Sequence, residues 1–122
     1  MDKLVIPGEL MSLNEYISIE RANRHLAAKA KKKQTNLCAL YARSAKNSGL
    51  IISTPAKLKF TWYSKNKRKD ADNIAFAKKF ILDGMVKAKL IENDNQKHII
   101  GFVDEFVLDK ANPRVEIEVI GG

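Results

Sequence analysis

Lys57-Leu58-Lys59-Phe60-Thr61-Trp62-Tyr63, then Ser64-Lys65-Asn66-Lys67-Arg68-Lys69, then Asp70-Ala71-Asp72-Asn73-Ile74: this run spells a strand, a loop and a helix start in succession. Leu58, Phe60 and Trp62 alternate with Lys57, Lys59, Thr61 and Tyr63, the period of a strand with one buried face and one polar, partly basic face. The segment from Ser64 to Lys69 is too polar to bury and reads as a loop. From about Asp72 to Lys89 the pattern changes to a helical one. Ile74, Ala77, Phe80, Ile81, Gly84, Met85 and Ala88 fall on one stripe, and Asp72 stands where an N-cap is expected.

Toward the N-terminus, Lys3 to Ile6 is a short apolar strand stopped by Pro7-Gly8. Ser12 or Asn14 then caps a long helix whose apolar positions include Leu26, Ala30, Leu37, Leu40 and Tyr41. Asn47-Ser48-Gly49 ends it, Gly49 being free to take a left-handed conformation. Toward the C-terminus, Glu92 to Asn95 is a turn. Residues from about Ile99 to Leu108 and from Val115 to Ile120 read as a final hairpin around Asp109 to Pro113. The expected fold is α+β, a single domain over residues 1–122. It has the order β-α-β-α-β-β, with two main helices packed on one side of a small mixed sheet.

Charge is distributed unevenly along the chain. Arg21 to Lys69 contains no Asp or Glu and carries 14 of the 22 Lys and Arg residues. The rest of the chain therefore holds 8 bases against 14 acids, a balance of −6 within a total of +8. Such a surface expects a polyanion, most simply nucleic acid. Lys29, Lys31, Lys32 and Lys33 wrap around the first helix, since successive helical residues turn by about 100°, and with Arg43 they are candidate phosphate contacts. No run of 18 apolar residues and no signal-peptide pattern is present, so a membrane role is not expected. The single cysteine, Cys38, lies among Leu37, Ala39 and Leu40 and is expected to be a buried small hydrophobe, in keeping with a reducing, cytoplasmic setting.

Against this basic background Asp70 and Asp72 stand close together. One carboxylate suffices to cap a helix, whereas two so near repel unless a cation separates them. The neighbouring loop residues Lys67, Arg68 and Lys69 can hold phosphates beside the pair, and Asp94, with Glu92 near it, follows the second helix. Hard oxygen ligands from separate segments suit Mg²⁺ or Mn²⁺ shared with substrate phosphates. Length raises an objection. A helix from Asp72 to Lys89 is about 27 Å long at 1.5 Å per residue, so a turn at its far end reaches Asp72 only if the chain doubles back before Asp94.

The run Asp70-Ala71-Asp72-Asn73-Ile74, followed by Ile81-Leu82-Asp83-Gly84-Met85 and Leu90-Ile91-Glu92-Asn93-Asp94, resembles the core of the RusA family of Holliday-junction resolvases of bacteria and phages. The likeness extends to Ser12-Leu13-Asn14-Glu15-Tyr16 and to the strand ending Phe60-Thr61-Trp62-Tyr63. It implies a Mg²⁺-dependent endodeoxyribonuclease that acts on four-way DNA junctions as a homodimer, with Asp70, Asp72 and Asp94 as the metal-binding catalytic carboxylates. Two positions depart from the pattern. Phe76 stands where many members have lysine, and Asn93 where many have aspartate. Lys79, seven residues after Asp72 and so near its face on an unbroken helix, is the candidate catalytic replacement, and Lys78 a further DNA contact. Asp83, too far along the axis to share a metal, is expected to be structural; His25 and His98 are isolated, His25 reading as a surface residue of the basic helix and His98, just before a strand, having nothing like a zinc triad near it. The rival readings are a non-enzymatic nucleic-acid-binding protein whose aspartates only cap a helix, and a module that binds an acidic protein.

Overall fold

The computed structural model describes residues 2–121. Strand β1 (Lys3–Pro7) leads through a turn at Gly8, whose φ of 84° suits glycine, to Ser12. Ser12 caps α1 (Leu13–Ala22) in a reciprocal arrangement with Glu15. The long helix expected here is divided. Asn23 adopts an extended backbone, closes α1, and accepts the amides of His25 and Leu26 to start α2 (Arg24–Asn47). A capping side chain in the middle of a helical pattern gives the backbone an alternative to continuing, and here that alternative wins. Gly49, at φ 105°, follows the end of α2 as expected.

Strand β2 (Ala56–Ser64) matches its pattern, with Ala56, Leu58, Phe60 and Trp62 buried. The second expected helix is also two: α3 (Ala71–Ala75) and α4 (Lys78–Lys87). Between them the Ala77 and Lys79 amides reach back three residues, to Ile74 and Phe76, as in a tightened turn. Because α3 begins at Ala71, Asp70 and not Asp72 holds the N-cap position, and Asp72 lies in the first turn.

Strands β3 (Ile99–Leu108) and β4 (Arg114–Gly121) exist, but the hairpin does not. The sheet order is β1-β4-β2-β3, and β2 lies between the two strands expected to pair. Strand β3 runs parallel to β2, and β4 antiparallel to both β2 and β1. The connection from Asp109 to Pro113 crosses the end of β2, where the Asp109 amide donates to the Ser64 carbonyl and the Gly8 amide to the Pro113 carbonyl. Both strands carry a clear pattern, but the polar connection is long enough to step over a neighbour, and pattern alone does not tell these cases apart.

The helices cover one face of the sheet. Leu4, Ile6, Leu58, Phe60, Val115 and Ile117 meet Phe80, Ile81 and Met85 in the core. On the open face Lys3 pairs with Glu116 and Glu118, and Lys59 with Glu105. Helices α2 and α4 approach so closely that a Cβ on Gly84 would lie 2.7 Å from the Ala39 nitrogen and the Cys38 Cβ. Cys38 is fully buried, and burial pushes its thiol up to about 12. Leu26 and Leu40, expected on the buried stripe of the first helix, are more than half exposed; Ala27, Ala39 and Ala42 take the inner positions, where small side chains permit close packing. Among the described residues no helix is long and apolar enough to cross a membrane.

Candidate active site

The polar loop after β2 delivers the chain to the start of α3, and with it both leading aspartates. Asp70 has the extended backbone of an N-cap, yet its carboxylate makes no capping hydrogen bond. Asp72 follows in the first turn. Both side chains are exposed, and neither forms a salt bridge or side-chain hydrogen bond among the described residues. Two unpaired carboxylates two residues apart repel each other, and no cation among the described residues pairs with either to offset that repulsion.

Their surroundings are anchored. Asn73 is buried, and its Oδ1 accepts the Asn14 backbone amide at 2.9 Å, tying α3 to the start of α1. Glu15 Oε1 accepts from Ser12 Oγ at 2.9 Å and pairs with Lys69 Nζ at 3.3 Å, so the same helix start also holds the end of the basic loop. Partial burial works against the Glu15 carboxylate, but the Ser12 hydrogen bonds and the Lys69 ammonium hold it below the usual carboxylate range. Phe76, in the position where the resemblance expects lysine, packs its ring against Tyr16 and Phe80 at centroid distances of 5.5 and 5.4 Å. Sequence pattern does not reveal the role of Asn73; its one signal is an amide directly after two acids at a helix start.

The expected basic residues divide by environment. Lys67 and Arg68 are exposed on the loop, and Lys69 is shared with Glu15. A cleft beside them is bordered by Ser64, Asn66, Lys67, Ala71, Ile74 and Phe106, so it connects the basic loop, the start of α3 and the end of β3. Lys29, Lys31, Lys32, Lys33 and Arg43 are exposed on α2, whose buried side faces the protein through Ala27, Cys38, Ala39, Ala42 and Ala45. Lys78 is engaged inside the protein. Its Nζ lies 2.6 Å from Asp104 Oδ2 and 4.4 Å from the centre of the Phe102 ring. Lys79 is exposed and pairs with Asp83 at 3.1 Å, an exposed i,i+4 bridge on α4. With the break between α3 and α4, the face counted for Lys79 along one continuous helix no longer applies.

Asp94 lies in the link from α4 to β3, and that link belongs to the other end of the sheet. Asn93 Oδ1 accepts the Asn95 amide, Asn95 Oδ1 accepts the Lys97 amide, and the His98 carbonyl accepts the Ala56 amide at the very start of β2. The loop to Asp70 leaves from Ser64, at the end of β2. Eight steps of strand at about 3.3 Å each place these ends about 26 Å apart. The parallel partnership of β2 and β3 requires this, because α3 and α4 must carry the chain back before β3 begins. The objection raised by helix length therefore holds. Among the described residues no three His, Cys, Asp or Glu side chains gather where they could hold a metal ion.

Residues 10–120 match the family model described as Endodeoxyribonuclease RusA, which takes in both aspartate segments, the basic helix and the whole of β2, α3, α4 and β3. No curated protein matches the chain closely enough to be counted a relative.

Proposed function

The chain belongs to the RusA endodeoxyribonuclease family, and on that premise we propose that it resolves four-way DNA junctions by hydrolysing phosphodiesters in paired strands. The observation that carries the reading is the pair Asp70 and Asp72, exposed and unpartnered among the described residues, beside Lys67, Arg68 and Lys69. In the capping-only alternative these carboxylates would serve the helix, yet Asp70 occupies the N-cap without making the bond that defines the role.

In this reading Lys67 and Arg68 hold the phosphates that flank the scissile bond, and Lys69, fixed by Glu15, sets the position of the loop. Lys29, Lys31, Lys32, Lys33 and Arg43 bind the backbone of the DNA arms, which positions the junction without reading sequence. Lys79 is the exposed cation of α4 closest in sequence to Phe76 and the one we assign to the phosphate. Lys78 is given to Asp104 as a structural partner. A four-way junction has near two-fold symmetry, and a C₂ homodimer supplies two equivalent sites for paired cuts.

The proposed cofactor is Mg²⁺ or Mn²⁺. Asp70 and Asp72 fit such an ion in ligand type, as exposed hard oxygens beside phosphate-binding bases. Asp94 does not fit the same site within one chain, because it lies at the opposite end of β2.

The test is incubation of the purified protein with a synthetic four-way junction and with linear duplex of the same sequence, with Mg²⁺ and with chelator. Paired cleavage of the junction, abolished by chelator and absent on duplex, is expected. Tight, salt-sensitive binding without cleavage under any divalent ion would favour the non-enzymatic reading.

A further inference from the structure

We propose that a cavity beneath the basic loop takes one unstacked nucleobase from the branch point of the DNA, so that branched DNA is told from duplex by a base as well as by phosphates. The inference rests on junction DNA being the substrate, and adds to that reading a base-binding site that none of Asp70, Asp72 and Asp94 lines.

The loop from Ser64 to Lys69 spans a groove at the end of β2. On one side lies the cleft already described, bordered by Ala71 and Phe106. On the other lies a more enclosed cavity, between the turn at Gly8, the start of β4, and Ile74 and Ala77 of the helix layer. Ser64, Asn66, Lys69 and Ile74 line both, so the two adjoin beneath the loop. The floor of the cavity is apolar, made by Leu10, Trp62, Ile74, Ala77 and Val115. Trp62 is fixed by its Nε1, which donates to Asp104 Oδ1 at 2.9 Å, and by its ring, which stacks with Phe60 at a centroid distance of 5.8 Å. Arg114 closes the side toward β4. Its guanidinium lies 3.7 Å from the centre of the Tyr63 ring and bridges Asp109 and Glu116, so this wall is held as well. The space measures about 50 Å³ by the centres of the waters it could hold. One water needs roughly 10–15 Å³ on that measure, so the cavity admits a single flat ring and excludes a base pair.

Polar groups at the mouth match such a ring. Glu9 Oε2 accepts the Lys65 amide at 2.9 Å, and its Oε1 has no hydrogen-bond partner among the described residues. Asn66 Oδ1 accepts the Arg68 amide at 3.0 Å, and its Nδ2 likewise has no partner among them. The two side chains thus offer an acceptor and a donor to the edge of a base. Lys65 at the cavity and Lys67 at the cleft form no salt bridge among the described residues and stand ready for its phosphate. An apolar floor, hydrogen-bonding groups at the edge and cations at the rim are the parts that hold an unstacked base. Within a duplex, a base leaves the helix only by losing its pair and both stacking neighbours. At a branch point the stack is already interrupted, so extrusion costs least there. Phosphates are present in both DNAs and do not by themselves separate them.

The test is binding by the full chain in chelator, which keeps the DNA uncut. Trp62 is the sole tryptophan, so its fluorescence reports on the cavity. A four-way junction is compared with the same junction made abasic at the nucleotides flanking the branch point, with linear duplex, and with a mononucleotide. The intact junction is expected to quench Trp62, and the abasic junction and duplex are not. The abasic junction keeps every phosphate, so its salt slope should be unchanged and its binding about tenfold weaker, as for the loss of one stacked base. Ser64 is half-buried at the end of β2, and Ser64→Phe puts a ring into the cavity; this variant should bind both junctions alike. Should it fail to fold, Glu9→Gln keeps an acceptor for the Lys65 amide and turns the free oxygen into a donor. Wild type should favour a branch-point base with an amino group over thymine, and Glu9→Gln should lose that preference. Equal wild-type affinity for intact and abasic junctions, unchanged discrimination in Ser64→Phe, an unchanged base preference in Glu9→Gln, or quenching by the mononucleotide and not by the junction would overturn the proposal. A protein that discriminates the two junctions in this way but cuts neither in Mg²⁺ would refute the proposed function and leave the role of the cavity standing. One that cuts junctions yet binds both alike would do the reverse.

Discussion

Asn73 Oδ1 accepts the backbone amide of Asn14 at 2.9 Å, joining two helix starts that lie 59 residues apart in sequence. The bond fixes α3, and so Asp70 and Asp72, against the capping box of Ser12 and Glu15, which in turn holds Lys69. Asn73→Ala removes a buried acceptor and leaves the Asn14 amide without its partner. The expected cost is about 1–3 kcal/mol, the range for a buried polar group left unsatisfied. Urea denaturation of the variant checks it; an unchanged midpoint would mean that the two starts are held by other contacts.

Lys78 and Lys79 are neighbours with opposite expectations. Lys78→Ala strands Asp104 in a partly buried site, where the carboxylate also accepts Trp62 Nε1 at 2.9 Å. The loss should be about 1.5–3 kcal/mol, as for hydrogen bonds to charged groups. Lys79→Ala breaks an exposed pair with Asp83 and should cost less than about 1 kcal/mol. Single-turnover cleavage of bound junction should show the larger rate loss for Lys79→Ala. Greater destabilisation by Lys79→Ala would contradict the assignment of Lys78 to the interior.

Gly84→Ala tests the crossing of α2 and α4. Alanine gains about 1 kcal/mol of helix propensity over glycine, but its Cβ would sit 2.7 Å from the Ala39 nitrogen and 2.8 Å from the Cys38 carbonyl carbon, where backbone must move. Overpacking of this kind costs about 1–3 kcal/mol. Thermal unfolding should therefore show a lower Tm, and a higher one would mean that the helices can separate at no cost.

Replacing Lys31, Lys32 and Lys33 together with alanine should weaken junction binding without abolishing cleavage at saturating protein. For every phosphate no longer neutralised, the slope of log affinity against log salt should flatten by about 0.9 on duplex DNA. All three side chains are exposed on α2, so stability should hardly change. A wild-type slope in the triple variant would turn this face of α2 away from DNA.

The strands and the core are legible because burial imposes its period on the residues: Leu58, Phe60 and Trp62 face inward just as their alternation with Lys57 and Lys59 implies. The helix breaks are less so, since a side chain such as Asn23 can either ride in a helix or cap a new one, and only the packing of α1 and α2 decides. The partner of β3 is not legible at all. Hydrophobic pattern marks a strand but carries no label for its neighbour, and the chain from Asp109 to Pro113 serves a crossing over β2 as well as it would a hairpin. The same gap explains the site. Asp70 and Asp72 can be placed at a helix start from sequence, whereas the position of Asp94 follows from the direction of β3 beside β2, which only the topology gives.

Asp72 carries the central claim. It is exposed in the first turn of α3 and has no partner in its own chain among the described residues, so Asp72→Asn should leave folding nearly intact, with at most about 1 kcal/mol forfeited from its interaction with the helix dipole. The decisive measurement is single-turnover cleavage of a four-way junction in Mg²⁺ by folded Asp72→Asn protein at saturating concentration. Retained or tightened junction binding with no cleavage is the predicted result, because a negative charge facing phosphate is removed along with a hard oxygen ligand. Cleavage at the wild-type rate would contradict it.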